Sequence, residues 1–140
     1  MRVDEVMKTQ VECIRRESTL GDAARRMKDH DVGFLPVCDA ANHPVGAVTD
    51  RDLAVRGLAK RLGADDPVSA VMSPDLLTCR PTDDIQEAEA LMARDRKARI
   101  MVTDPSGKLV GVISLSDLIE RDERRAVHTL REVSSREARA

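Results

Sequence analysis

A hydroxyl residue followed three positions later by a carboxylate occurs twice, each time where an apolar run ends. Thr49-Asp50-Arg51-Asp52 follows Gly46-Ala47-Val48, and Ser114-Leu115-Ser116-Asp117 follows Gly111-Val112-Ile113. A strand that stops at Thr or Ser and turns straight into a helix directs backbone N–H groups beyond the strand end, where an anion such as phosphate is held. The carboxylate three residues on can accept hydrogen bonds from a diol such as ribose. The same spacing fits a helix capping box with Asp in the usual Glu or Gln place, and on spacing alone capping is the stronger reading. The two roles compete, because a hydroxyl bonded to its own helix has fewer lone pairs left for a ligand.

Other reactive side chains are sparse. Cys13, Cys38 and Cys79 make an odd count with no C-x-x-C pair, so neither a disulfide framework nor a zinc knuckle is indicated. Cys13 and Cys38 fall in two expected strands of the first half, and their counterparts in the second half are Thr78 and Thr103. A Cys13–Cys38 bridge is allowed if those strands are neighbours, although buried free thiols are the ordinary state in a reducing cytosol. His30, His43 and His128 lack H-x-x-x-H or H-E-x-x-H spacing, and no Gly-x-Ser-x-Gly elbow is present. His43 in a turn reads as exposed rather than as a metal contact. No metal site and no enzyme activity are expected.

The elements that position these residues form a tandem repeat. Pairing residues 6–56 with 71–121 needs no gap and gives 12 identities in 51 pairs, about four times chance. In each copy a Val-Met lead-in (Val6-Met7, Val71-Met72) reaches a short strand, Val11 to Ile14 or Leu76 to Cys79. Thr19-x-x-Asp22 and Asp84-x-x-Glu87 then mark helix starts. Leu20, Ala23, Ala24 and Met27, echoed by Ile85, Ala88 and Met92, give an amphipathic helix of about three turns with one buried face. Strands follow at Phe34 to Cys38 and Arg99 to Thr103, then turns at 39–44 and 104–108. A strand ending at Thr49 or Ser114 closes each hairpin, and a helix follows. The expected fold class is α+β, two copies of strand–helix–strand–strand–helix with helices packed on a small sheet. The expected division is residues 1–62, residues 63–125, and a charged tail at 126–140, helical or frayed, with Gly57 to Pro67 as linker.

Composition narrows the partners. The chain has 140 residues, a net charge of −2, and Phe34 as its one aromatic residue. Without a basic field or stacking platforms, nucleic-acid binding is not expected. No apolar run approaches membrane-spanning length and residues 1–20 are punctuated by charges, so a soluble cytoplasmic protein is expected. In the tail, Arg121, Arg124, Arg125, Arg131, Arg136 and Arg139 alternate with acids, while Val127, Leu130 and Val133 give a thin apolar seam. Such a tail is a solvated helix, or lies along a partner subunit.

The duplicated Val-Met lead-in, the Thr19-Leu20-x-x-Ala23 helix start, Phe34-Leu35-Pro36-Val37-Cys38-Asp39 and the doubled Gly-x-x-Thr/Ser-x-x-Asp resemble the cystathionine-β-synthase (CBS) domain family. Two copies look like a CBS pair, or Bateman module, over about residues 1–122. Gly46 to Leu53 is especially similar to small stand-alone bacterial CBS-pair proteins, including the mycobacterial hypoxic response type. The resemblance implies a pseudo-two-fold pair whose sheets leave two clefts for AMP, ADP, ATP or S-adenosylmethionine. It implies a regulatory module that signals to an unknown protein partner by conformational change and commonly forms a homodimer. The competing reading is a ligand-free interaction or redox and stress-response protein on the same fold.

Carried over residue by residue, Asp52 and Asp117 take ribose hydroxyls, and Thr49 and Ser114 face phosphate. Backbone groups at Val11 to Cys13 and Leu35, Pro36 and Val37 hold the adenine edge in the first copy. Leu76 to Thr78 and Ile100, Met101 and Val102 do so in the second. The copies differ in charge: Arg51 lies in the first motif where the second has Ser116, and Lys97 and Arg99 stand where the first has Val32 and Phe34. Met101 replaces the Pro36 that the family often carries. These differences favour the first site.

Overall fold

The computed structural model describes residues 1–121 and 123–139, with side chains described for 1–120 and 127–135. The tail arginines Arg121, Arg124, Arg125, Arg136 and Arg139 lie outside the described side chains. The chain forms two compact units. One is continuous, Glu12–Leu76; the other is split, Met1–Val11 with Leu77–Ala140. The lead-in of the first repeat thus packs in the unit that carries the second hairpin.

In the continuous unit, helix α1 spans Leu20–His30. It starts where expected because Thr19 and Asp22 close a capping box: Asp22 N–H donates to Thr19 Oγ1 at 3.1 Å and Thr19 N–H to Asp22 Oδ2 at 3.3 Å. The Thr19 N–H also holds the Asp22 carboxyl below the usual carboxylate range. Leu20, Ala23 and Met27 are buried, whereas Ala24, placed on the same face by spacing, is exposed. The helix ends on Asp31 in the left-handed region (φ 52°), with Val32 N–H returning to Met27 O.

Strands β1 (Phe34–Cys38) and β2 (Pro44–Thr49) form the antiparallel hairpin, with Phe34 opposite Thr49 and Pro36 opposite Ala47. The turn between them is held by Asp39, whose Oδ1 accepts the N–H groups of Ala41 and His43, both at 2.9 Å. These donors, His43 first, lower the Asp39 pKa.

The expected strand from Val11 to Ile14 shrinks to one bridge, Ile14 beside Val37 in parallel. Ile14 N–H donates to Pro36 O and Cys38 N–H to Ile14 O, each at 2.9 Å. Pro36 has no N–H, so the ladder cannot continue to residue 12.

After β2 the backbone makes a single α-helical turn, α2 (Asp50–Asp52), a π-helical turn (Leu53–Gly57) and a 3-10 turn (Leu58–Lys60), carrying helical geometry into the expected linker. A 3-10 turn at Val68–Ala70 then leads to Ser73, which pairs with Ala47 on the free edge of β2. Ile14, Leu20, Met27, Leu35, Val37, Val48, Val68 and Val71 supply the core.

The split unit repeats this plan with fuller pairing. Its sheet is β3 (Thr78–Cys79), β4 (Arg99–Thr103) and β5 (Leu109–Ser114). β3 runs parallel to β4 and β5 antiparallel to it. Lys8 pairs with Val112 on the outer edge of β5, as Ser73 does with Ala47. Leu76 to Cys79 was expected as a strand, and two of those residues form one. Met101 N–H donates to Leu77 O at 3.0 Å, the bond that Pro36 cannot make at the equivalent place.

Helix α3 spans Ile85–Asp95, with Asp84 accepting Gln86 N–H at 2.8 Å and Arg96 (φ 55°) closing it as Asp31 closes α1. Gly107 (φ 88°) stands where Asn42 (φ 64°) stands in the first hairpin, and both types tolerate this left-handed turn position.

Helices α4 (Leu115–Arg121) and α5 (Glu123–Arg139) complete the unit, α5 packing on α3 and α4. Residues three apart drift around a helix by about 60° per step at 3.6 residues per turn. The seam at Val127, Leu130 and Val133 is therefore divided: Val133 joins the core at 4% exposed, with Thr129 buried beside it, while Val127 and Leu130 face outward.

Among the described residues no helix is long and apolar enough to cross a membrane. The architecture is mixed α and β in two repeats, as expected.

Candidate functional site

Both hydroxyl–carboxylate motifs fold as capping boxes. In the continuous unit Thr49 N–H donates to Asp52 Oδ2 at 2.9 Å and Asp52 N–H to Thr49 Oγ1 at 3.1 Å. In the split unit Ser114 N–H donates to Asp117 Oδ2 at 2.9 Å and Asp117 N–H to Ser114 Oγ at 3.3 Å. Each carboxylate thus has Oδ2 committed to its own helix start, leaving Oδ1 to a base. Asp52 Oδ1 lies 3.9 Å from Arg56 Nε, and Asp117 Oδ1 lies 3.4 Å from Lys8 Nζ. Arg56 is an i,i+4 partner and so was accessible to sequence reasoning through the Asp52/Arg56 and Asp117/Arg121 echo. Lys8 carried no such signal, because only its pairing with Val112 brings it to Asp117.

Backbone donors are less free than the motif suggested. At the first motif Asp50 N–H donates to Gly33 O, Arg51 N–H to the Asp50 carboxylate, and the N–H groups of Thr49 and Asp52 close the box. Four amides expected to face a phosphate are therefore internally bonded. At the second motif Leu115 N–H donates to Ala98 O, and Leu115 stands where Asp50 stands, so the second motif lacks the carboxylate that takes the Arg51 amide in the first. Ser114 Oγ and Ser116 Oγ lie 2.8 Å apart.

The remaining candidates divide by burial. Leu35, Val37, Ile100 and Val102 send their side chains into the two cores, and Met101 is buried at 3%. Any ligand contact from these strands comes from backbone, and the Pro36 carbonyl is already taken by Ile14. Arg51, Leu76 and Thr78 are exposed, while Val11, Cys13 and Arg99 are half-buried. Val11 packs in the split unit and Leu76 in the continuous one, each apart from the residues it follows or precedes in its expected group.

The thiols fall into two environments. Cys13 and Cys38 place their sulfurs 3.5 Å apart, the Cys38 thiol donating to Cys13. That contact lowers the Cys13 pKa and raises that of Cys38, which is also buried. Burial pushes the Cys79 thiol up to about 12. Alkylation of reduced protein at neutral pH is expected to label Cys13 first, with Cys38 and Cys79 reacting on unfolding; peptide mass mapping reads the order. Among the described residues no group of three or more His, Cys, Asp or Glu side chains is arranged to hold a metal ion. His43 sits 3.7 Å from Asp39 in its turn.

Comparison with known proteins gives the fold a context. The chain is 37% identical over 116 residues to the CBS domain-containing protein YhcV of Bacillus subtilis, covering 83% of this chain and 81% of that protein. It is 30% identical over 115 residues to hypoxic response protein 1 of Mycobacterium tuberculosis, covering 81% of this chain and 80% of that one. A crystal structure of Hypoxic Response Protein I with two coordinated zinc ions superposes with a TM-score of 0.79 at 27% identity, over 87% of this chain and 99% of that chain. The crystal structure of CBSX2 in complex with AMP shares the fold, with a TM-score of 0.74 at 23% identity over 85% and 93% of the respective chains. The CBS domain model matches residues 3–57 and again residues 68–124, so the chain belongs to the CBS domain family as a tandem pair.

Proposed function

We propose that this CBS pair is a regulatory module, without catalysis of its own, that binds adenosine-containing ligands at its two hydroxyl–carboxylate motifs. The observation that carries the reading is the divided use of Asp52 and Asp117. Oδ2 holds the helix start in place, and among the described residues Oδ1 meets a side-chain cation that a ribose diol can join or displace. A rigidly held carboxylate with one oxygen in reserve is pre-organised for a diol, which limits the ordering cost of binding. Lys8, and in the other unit Arg51 and Arg56, bring positive charge for phosphate oxygens. The AMP complex of CBSX2, a protein of the same fold, supports the ligand class.

In this reading residues 1–62 and 63–125 are the two repeats, and ligand occupancy shifts the conformational balance that a partner protein reads. The module acts as a homodimer in the cytoplasm.

Calorimetric titration of the full chain with AMP, ATP and S-adenosylmethionine tests the ligand claim. Binding of at least one is expected, with a thermal midpoint that rises with ligand; at a hundredfold its Kd a ligand adds about 2.7 kcal/mol of stability. No heat and no thermal shift with any of the three at millimolar concentration would remove adenosine ligands from the account.

A further inference from the structure

The two units differ at one edge of their sheets. In the split unit β3 is tied to β4 by two register pairs and by Met101 N–H to Leu77 O. In the continuous unit Pro36 replaces Met101, the corresponding bond to Glu12 is missing, and among the described residues Ile14 alone pairs the edge segment with β1 through backbone, while Arg26 of α1 donates to Cys13 O. Where the ladder fails, the chain places a pair of thiols. Cys13 neighbours the missing bond on the edge segment and Cys38 closes β1, with sulfurs 3.5 Å apart. The split unit, whose ladder is intact, has Thr78 and Thr103 at the same two places.

We propose that Cys13 and Cys38 are a redox pair, closing on exposure to a hydroperoxide into a disulfide that fastens the edge segment to β1. A disulfide of about 2.05 Å requires the sulfurs to approach by roughly 1.5 Å. The surroundings assign the order of events. Cys13 is half-buried, with its thiolate favoured by the Cys38 S–H and by the charges of Arg15 and Arg26. Cys38 is 2% exposed and held as the thiol. The Cys13 thiolate attacks the terminal oxygen of the hydroperoxide; an S–O bond forms, the O–O bond breaks, and the departing alkoxide takes up a proton to give the alcohol. The Cys38 sulfur then attacks the sulfenic sulfur. The S–S bond forms, the S–O bond breaks, and hydroxide leaves with the Cys38 proton as water. In sum, two thiols and one hydroperoxide become one disulfide, one alcohol and one water.

The test treats the full chain with hydrogen peroxide, where the alcohol product is water, then unfolds it, alkylates free thiols and maps the peptides. Loss of two of the three thiols, a linked Cys13–Cys38 peptide and retention of alkylated Cys79 are expected, with all three thiols recovered by dithiothreitol. Hydrogen exchange at the amides of residues 12 and 13 is expected to slow at least tenfold in the oxidised form. Cys38→Ser should stop at a sulfenic acid on Cys13 that dimedone traps, and this intermediate should be absent from Cys13→Ser. Three free thiols after peroxide, a bridge involving Cys79, or a bridge between two chains would each overturn the pairing. The wild-type peptide map decides this even if a serine variant fails to fold.

Discussion

Alanine in place of Asp52 is expected to weaken adenosine-ligand binding at the continuous unit by about tenfold to a hundredfold, the loss that follows from removing charged hydrogen-bond acceptors worth about 1.5–3 kcal/mol. Asp117→Ala should act likewise on the split unit, and the double variant should show the tenfold to hundredfold loss at both motifs. Each substitution also removes half of a capping box, so unliganded stability should fall by about 1 kcal/mol in urea unfolding. The two readouts separate the two roles. A carboxylate that only caps its helix would lose stability and leave affinity unchanged. A carboxylate that also holds a diol changes both, and calorimetry of the folded variants distinguishes the cases.

Gly46→Val is expected to destabilise the protein by about 3 kcal/mol, the upper part of the range for forcing side-chain atoms into a packed site. A Cβ at Gly46 would stand 2.7 Å from Ser73 O and 3.3 Å from Met72 Sδ. The first of these is backbone, held in place by Ala47 N–H at 2.9 Å and tied back by Ser73 N–H to Ala47 O at 2.8 Å. Relief therefore requires breaking the pairing that attaches the lead-in to β2. At Gly111 the nearest atom is Met7 Sδ at 2.7 Å, with Lys8 O at 3.0 Å. Because a thioether can rotate away, Gly111→Ala should cost less than Gly46→Ala. Thermal and urea denaturation of the three variants give the order. Equal small losses would mean that the lead-ins are not pinned there.

By sequence the glycine of the doubled motif belongs to a strand running into an anion site. Its contacts assign it a different task, to let the lead-in backbone pass across the strand. The aspartate and hydroxyl were legible as a cap because a capping box joins atoms three residues apart, and no other part of the chain is needed to form it. For the same reason α1 starts at Leu20, both hairpins have the expected limits, and the paired Asp39 and Asp104 turns close as the repeat implied.

Where sequence reasoning fell short, a distant residue was responsible. The strand at Val11 to Ile14 looked as good as its counterpart at Leu76 to Cys79, and its shortening traces to Pro36, more than twenty residues away, which has no proton to donate. The seam at Val127, Leu130 and Val133 divided because α5 turns Thr129 and Val133 toward α3 and α4.

Local pattern alone was enough for the duplication, the element order, the helix caps and the hairpin turns, since these depend on hydrogen bonds and side-chain periodicity within a few residues. Long-range packing was needed for which lead-in meets which hairpin, for the Lys8–Asp117 contact, for the Asp50 amide bonded to Gly33 O and for the meeting of Cys13 with Cys38. Those outcomes join segments far apart in the chain, and the edge hydrogen bonds and buried surface that select among them exist only once the units have formed.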